Sequence, residues 1–436
     1  MKTKHQLFLI FILQCLLTGK LFGQMLSTTV VGDKAYFSQN IDVEKFAGKR
    51  FQLKAVTKVK AGTNNSKSAV IALIRKKNNT VGFHTDLTQS SKNNANWEVT
   101  NIKGKIDSDA KTIEIGGYCS SDGIFSFDDF KLKVEVSPTK WEQIPIGNYG
   151  FEKGDFQNWI AGSNNKPLNF DGVKFGVESK NPFNGKFSLR IECKYTDYGN
   201  NDKAGNYITV NGIKLYYEIY GSGKPLVLLH GNGGSISGHK VRIADFKSKY
   251  KVIAIDNRAQ GKSGDDGQEL TYDLMADDIN KLLEKTNIDS AYIWGQSDGG
   301  IIGLLLAMKH PDKVKKLAVW GANIQANEQA FAPKIYESII TGSKNGKTIK
   351  ERQLNTLMVN YPNMPFSDLN SIKAPVLVMS GDRDAINIEH TIGIFQHIPN
   401  SQLFVMPGAT HFGAYEKPGL FNSVLLEFFN ASLKKP

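Results

Sequence analysis

Ser297 has a glycine two residues to either side, in Gly295-Gln296-Ser297-Asp298-Gly299, and Gly300 follows. The apolar run Ala291-Tyr292-Ile293-Trp294 leads into this segment, and Ile301 to Met308 leads out of it. A strand that turns sharply into a helix needs small residues at those two positions. Such a turn holds its central serine in a strained backbone conformation at the helix N-terminus, where amides and the helix dipole favour a developing anion. Ser297 is therefore the candidate nucleophile. A serine hydroxyl is weak and needs a base, itself oriented by an acid. Both follow in the order this turn requires. Val376-Leu377-Val378-Met379-Ser380 runs into Gly381-Asp382-Arg383-Asp384, and Leu403-Phe404-Val405-Met406 runs into Pro407-Gly408-Ala409-Thr410-His411. Asp384 is the candidate acid, with Asp382 as its competitor, and His411 is the candidate base. Each lies just past a strand end, the edge at which open α/β sheets build their sites.

Acyl transfer also needs donors for an oxyanion, commonly the amide after the nucleophile and one from a Gly-rich loop. Asp298 supplies the first, and Leu229-His230-Gly231-Asn232-Gly233-Gly234 contains the second. No G-x-x-x-x-G-K-[ST] pattern is present, so a phosphate cradle is excluded. With Asp256-Asn257-Arg258-Ala259-Gln260-Gly261-Lys262-Ser263, these segments resemble the α/β-hydrolase superfamily over residues 207–433. Ala259 stands where that family usually has glycine. The Ser-Asp-Gly-Gly turn is most similar to the biphenyl-hydrolase-like and valacyclovir-hydrolase-like serine esterases.

The resemblance implies Asn232 as the loop donor, Gly233 as its substitute, and His230 as a shaper of the loop. It implies cleavage of a small-molecule carboxylic ester through an acyl-enzyme, with no metal or organic cofactor. The Asp298 carboxylate and Gly233 are candidate substrate contacts, Asp298 toward a cationic acyl group. Serine at position 297 excludes dehalogenase and epoxide-hydrolase chemistry, which need an acid there. Lactonase, aminopeptidase, carbon–carbon hydrolase and cofactor-free haloperoxidase activities share the triad and stay open, since function lies in the pocket. From another class, so does a catalytically silent glycan-binding protein.

Elements of two kinds must position these residues. From Tyr207 onward, continuous apolar runs alternate with helical patterns. Met275, Ile279, Leu282 and Leu283 fall on one helix face, as a parallel sheet covered by helices requires. Residues 206–436 are thus expected to form an α/β-hydrolase domain, with residues 324–372 a small helical lid. Residues 25–205 alternate apolar and polar residues between Asn-rich turns, which predicts an all-β domain. This region resembles jelly-roll, carbohydrate-binding-module-like domains in Gly123-Ile124-Phe125-Ser126-Phe127-Asp128-Asp129-Phe130, Phe151-Glu152, Trp159 and Gly185-Lys186-Phe187-Ser188-Leu189. The two halves of that pattern come in reverse order. This implies either one circularly arranged sandwich or one and a half units, with a polysaccharide as partner. Trp97, Trp141 and Trp159 are read either as a sugar-stacking platform or as sheet-packing aromatics.

The chain has 436 residues and a net charge of +12. Lys2 and Lys4 precede an apolar run from Leu7 to Leu17, which predicts a signal peptide over residues 1–23 and an exported, periplasmic or secreted protein with no membrane span after cleavage. That segment carries three lysines and no acid, so the remainder stands at +9. No dense basic run interleaves with aromatics, which argues against nucleic acid. Cys119 and Cys193 remain, and export would permit a disulfide between them; spacing alone leaves this open.

Overall fold

The computed structural model describes residues 29–32, 34–89, 94–163 and 166–431; the expected signal peptide, residues 1–23, lies outside them. The chain forms two compact units that divide between Thr196 and Asp197. No helix among the described residues is long and apolar enough to cross a membrane.

The C-terminal unit is built on one eight-stranded sheet. Strands β1 (Gly205–Val210) and β2 (Ile213–Tyr220) form a hairpin over Asn211-Gly212. Both turn residues have positive φ, as a two-residue turn matched to strand twist demands. Strands β3 (Lys224–Leu229), β4 (Tyr250–Ile255), β5 (Ala291–Gln296), β6 (Val314–Trp320), β7 (Val376–Arg383) and β8 (Ser401–Thr410) complete the order β1-β2-β4-β3-β5-β6-β7-β8. Neighbours from β4 to β8 are parallel. The runs Leu226–Leu229 and Val252–Ile255 are buried on both faces, the physical reason they show no alternation.

The helices are α1 (Lys240–Phe246), α2 (Tyr272–Lys285), α3 (Asp298–Lys309), α4 (Pro333–Asn345), α5 (Ile349–Asn360), α6 (Ile388–His397), α7 (Gly413–Glu416) and α8 (Pro418–Asn430). Helix α2 buries Met275, Ile279, Leu282 and Leu283, and the Thr271 side chain caps its start by accepting from the Leu274 amide. Helix α3 is apolar all round and buried from Asp298 to Ala307. Between β6 and β7, α4, α5 and a 3-10 turn (Phe366–Ser371) interrupt the β/α alternation.

The N-terminal unit consists of two six-stranded antiparallel sheets and one short parallel pair, Thr29–Val30 beside Asn169–Phe170, with one short 3-10 turn, Glu44–Phe46, as its helical element among the described residues. One six-stranded sheet runs in the order Lys166–Pro167, Ile160–Ser163, Lys34–Asp42, Ala110–Ser120, Lys67–Lys76, Val81–Gln89. The other runs Val173–Glu178, Ser188–Cys193, Gly123–Ser137, Arg50–Ala61, Asn94–Lys105, with Lys140–Ile144 paired beside Gly123–Ser137. One buried cluster holds side chains from both, with Phe37 of the first sheet 4.8 Å from Phe127 of the second, edge to face.

The two motif sets therefore feed one core. Several of their polar residues hold loops. Glu152 accepts the amides of Lys186 and Phe187, and Asp128 accepts those of Phe183 and Asn184. A Cβ at Gly185 would stand 2.3 Å from the Glu152 carboxylate. Trp159 is buried against Phe130, Phe151 and Phe37. It is therefore a core residue, and the three tryptophans do not form one platform.

Candidate active site

Ser297 follows β5 and opens α3 with φ 53° and ψ −118°, a conformation a non-glycine residue holds at a cost of about 1–3 kcal/mol. The turn is so tight that a Cβ on Gly295 would lie 2.1 Å from the Gly299 carbonyl oxygen, and one on Gly299 would lie 2.1 Å from that of Leu229. Both positions require glycine. The Ser297 amide donates to the Trp320 carbonyl at 2.8 Å, which ties the turn to β6. The Ser297 hydroxyl makes no capping bond to the helix, so it is not spent on structure.

His411 lies one residue past β8, and Asp384 lies one residue past β7. His411 Nδ1 is 2.6 Å from Asp384 Oδ1. Asp384 also accepts the Ile386 amide on Oδ1 and the Gly381 amide on Oδ2. Burial alone would push this carboxyl up. The His411 hydrogen bond and charge, with the two amides, hold it below the usual carboxylate range. It is thus an anion aimed at Nδ1, leaving Nε2 to act as base. The competitor Asp382 is exposed. Trp320 Nε1 donates to the His411 carbonyl at 2.9 Å and fixes the loop from behind.

Strands β3 and β5 pair in parallel, so the loop after β3 lies beside the elbow. A Cβ on Gly231 would stand 3.1 Å from Ser297 Cβ, the close approach that calls for glycine. His230 Nε2 accepts the Asn257 amide, which places the ring proton on Nδ1, facing the Gly231 carbonyl at 2.8 Å. Burial lowers this imidazole to about 4, so it is a neutral brace for the loop. Among the described residues the Asn232 amide has no acceptor. The Gly233 amide, by contrast, donates to Gln260 Oε1 at 2.6 Å, which removes Gly233 as a substitute donor.

Asp298 stands differently from the sequence expectation. Its amide opens α3, but its carboxylate turns into the protein. Asn232 Nδ2 donates to Oδ2 and the Tyr272 hydroxyl to Oδ1, both at 2.9 Å. Burial pushes this carboxyl up to about 6, against the pull of those two donors. Asn232 Nδ2 also donates to the Leu354 carbonyl of α5 at 3.2 Å. The carboxylate therefore holds the Asn232 side chain and does not reach out toward a cationic substrate.

Ser297 and His411 line one cavity of about 350 Å³. Its other walls include Gly231, Asn232, Phe331, Ile335, Ile339, Met358, Ile386, Phe412 and Tyr415. Neither Asp298 nor Gly233 is among them, and no Asp, Glu, Lys or Arg is. Helices α4 and α5 contribute Ile335, Ile339 and Met358, which is how the segment between β6 and β7 reaches the site. Sequence reasoning missed Gly321, Tyr272 and Tyr415. Gly321 has φ +58°, and a Cβ there would stand 2.7 Å from the His411 ring. Tyr415, at the cavity rim, donates its hydroxyl to Gln296 Oε1.

Residues 224–334 match the family model described as alpha/beta hydrolase fold. A putative carbamate hydrolase, RutD, of Azorhizobium caulinodans is 32% identical over 123 residues, which cover 28% of this chain and 46% of that protein. This chain thus spans less than half the length of that relative. Serine hydrolase BPHL of Mus musculus is 25% identical over 233 residues, covering 47% of this chain and 79% of that protein. The solved structure of Est816, described as an N-acyl homoserine lactone degrading enzyme, is 24% identical with a TM-score of 0.45, covering 51% of this chain and all of its own. The C-terminal half of the chain has the alpha/beta hydrolase fold.

Proposed function

We propose that this protein is a serine hydrolase that cleaves neutral, apolar carboxylic esters through an acyl-enzyme. The observation that carries the reading is the strained Ser297 on the same cavity as His411, whose Nδ1 is held at 2.6 Å by a buried Asp384 carboxylate. Ser297 Oγ attacks the ester carbonyl while His411 Nε2 takes its proton. The amides of Asn232 and Asp298 receive the tetrahedral oxyanion. His411 then hands the proton to the departing alcohol. In the second half it draws a proton from water, whose attack frees the acid and restores Ser297. An imidazolium forms twice in this cycle, and the Asp384 anion stabilises it each time.

The apolar lining without a charged side chain favours a neutral acyl group over an aminoacyl one. An aminopeptidase-like role would need an anionic contact that the cavity does not offer. Export under the 1–23 segment, a jelly-roll architecture for the N-terminal unit and binding of a polysaccharide by it are parts of the same proposal. Together they describe an enzyme that removes acyl groups from a polymer outside the cytoplasm.

The test is a panel of p-nitrophenyl esters, lactones and aminoacyl esters, run with wild type and Ser297→Ala. We expect activity on neutral esters that falls at least ~10³-fold in the variant, with an unchanged unfolding midpoint. A variant as active as wild type would overturn the reading. Selective turnover of the aminoacyl esters would overturn the substrate class.

A further inference from the structure

Cys119 and Cys193 stand in different sheets of the N-terminal unit. Cys119, in Ala110–Ser120, is flanked in its sheet by Lys34–Asp42 and Lys67–Lys76. Cys193 ends Ser188–Cys193, between Val173–Glu178 and Gly123–Ser137. Their two strands share no backbone ladder, so packing across the core is what brings them together. The Sγ atoms lie 3.1 Å apart, inside van der Waals contact, with both side chains buried. The remaining neighbours of these atoms are weak partners for a thiol, with the Ala35 carbonyl 3.8 Å from Cys119 Sγ and the Tyr195 hydroxyl 3.6 Å from Cys193 Sγ. Apart from Cys15 in the leader, these are all the cysteines of the chain. A core of this size would more simply hold an aliphatic pair at such a contact. Two sulfurs facing each other from opposite sheets suit a covalent bond, which needs the Cβ atoms only about 3.5–4.5 Å apart.

We propose that Cys119 and Cys193 form a disulfide that fastens the two sheets of the N-terminal unit to each other. The bond forms by exchange with an oxidant of the disulfide class, glutathione disulfide or a dithiol oxidase. One cysteine thiolate attacks a sulfur of that disulfide, giving a mixed disulfide and one released thiolate. The second cysteine thiolate then displaces the other half of the oxidant. The two protons lost by the cysteines end on the two released thiolates, so the oxidant takes up two electrons and two protons and leaves as two thiols. Burial of both sulfurs places this exchange before the sheets close, during folding in an oxidising environment. The finished bond spans 74 residues of sequence, and it constrains the unfolded chain accordingly.

The full chain is refolded in a glutathione redox buffer, unfolded in iodoacetamide without reductant, and mapped by mass spectrometry. The expected result is a linked pair of peptides holding Cys119 and Cys193, with no carbamidomethyl group on either. Reduction should lower the unfolding midpoint of the N-terminal unit by about 5–15 °C. The double variant Cys119→Ala/Cys193→Ala should match the reduced wild type and ignore the reductant. Alkylation of both cysteines in the oxidised sample, or a wild-type midpoint indifferent to reductant, overturns the proposal. Esterase activity plays no part in either readout, so the outcome stands apart from that of the hydrolase reading.

Discussion

At Gly321 the imidazole has no room to yield. A methyl group there would meet the His411 ring at 2.7 Å and lie 3.3 Å from Asp384 Oδ1, on a backbone with φ +58° that disfavours any side chain. Gly321→Ala should displace His411 from its acid. We expect kcat to fall about 100-fold, the usual scale for a misplacement near 1 Å, with KM little changed because Gly321 does not line the cavity. Steady-state kinetics on one ester decides this, and an unaltered kcat would free the histidine from that wall. Asp298 makes a different prediction, one in pH. Its folded carboxyl stands at about 6 against an ordinary 3.8. The native state therefore binds that proton more tightly. The stability this provides is full below about pH 4 and is lost as pH rises through 6, on the order of 3 kcal/mol in all. Asp384 works in the opposite sense, since its depressed carboxyl contributes stability above the ordinary value and loses it on acidification. Asp298→Asn removes the first effect and leaves the second. The stability of wild type relative to the variant should fall between pH 4.5 and pH 7, as read from urea midpoints. A difference constant with pH would mean that Asp298 titrates alike in both states.

Among the elements, α4 and α5 decide what enters. Ile335, Ile339 and Met358 face the cavity from these two helices, and a buried methylene is worth about 1–3 kcal/mol of discrimination, or 10–200-fold. Met358→Ala should shift preference from p-nitrophenyl butyrate toward the octanoate by at least ~10-fold in the ratio of kcat/KM. No shift would place the acyl chain elsewhere. This part of the site was illegible in the sequence, because which helix faces reach the cavity depends on how the segment seats on the sheet. The elements beneath were legible, since the runs of β3 to β7 are short-range patterns with one physical cause, burial on both faces. The elbow and the residues past β7 and β8 were legible for the same reason, as steric demands act over a few positions. Asp298 shows where such reasoning stops. Its place beside Ser297 is written in the chain, but the direction of its carboxylate is set by Tyr272, 26 residues upstream, and by Asn232, 66 residues away. Gly321 likewise reads as an ordinary strand end until β8 brings His411 against it. Ala259 is a smaller case. It holds φ 62° where a glycine would be unstrained, while its side chain joins the buried core.

At the scale of the whole molecule, each of the two units has an apolar cluster of its own. Among the described residues, the main apolar cluster of the C-terminal unit draws on residues from Ile208 onward, and that of the N-terminal unit on residues up to Tyr195. Each unit closes its own core, the condition for folding alone. The proposed triad, donors and cavity walls all come from residues 230–415. Residues 197–436 expressed alone should therefore hydrolyse a soluble p-nitrophenyl ester with kcat/KM within about threefold of the full chain, a barrier change below ~1 kcal/mol. The substrate that separates the full chain from the fragment is an acylated polysaccharide. If residues 27–196 bind the polymer, they raise the effective concentration of attached ester at the site without touching the chemistry. The full chain should then release acid from dilute polymer at least ~10-fold faster than the fragment, with the advantage vanishing on the soluble ester and at saturating polymer. The excess of basic residues concerns that same half, since residues 24–205 hold six of the nine net charges carried by residues 24–436. An advantage that disappears in moderate salt would assign the attraction to those charges acting on an anionic polymer. One that survives salt would assign it to a sugar-binding surface, and equal rates on both substrates would leave the N-terminal unit without a part in catalysis.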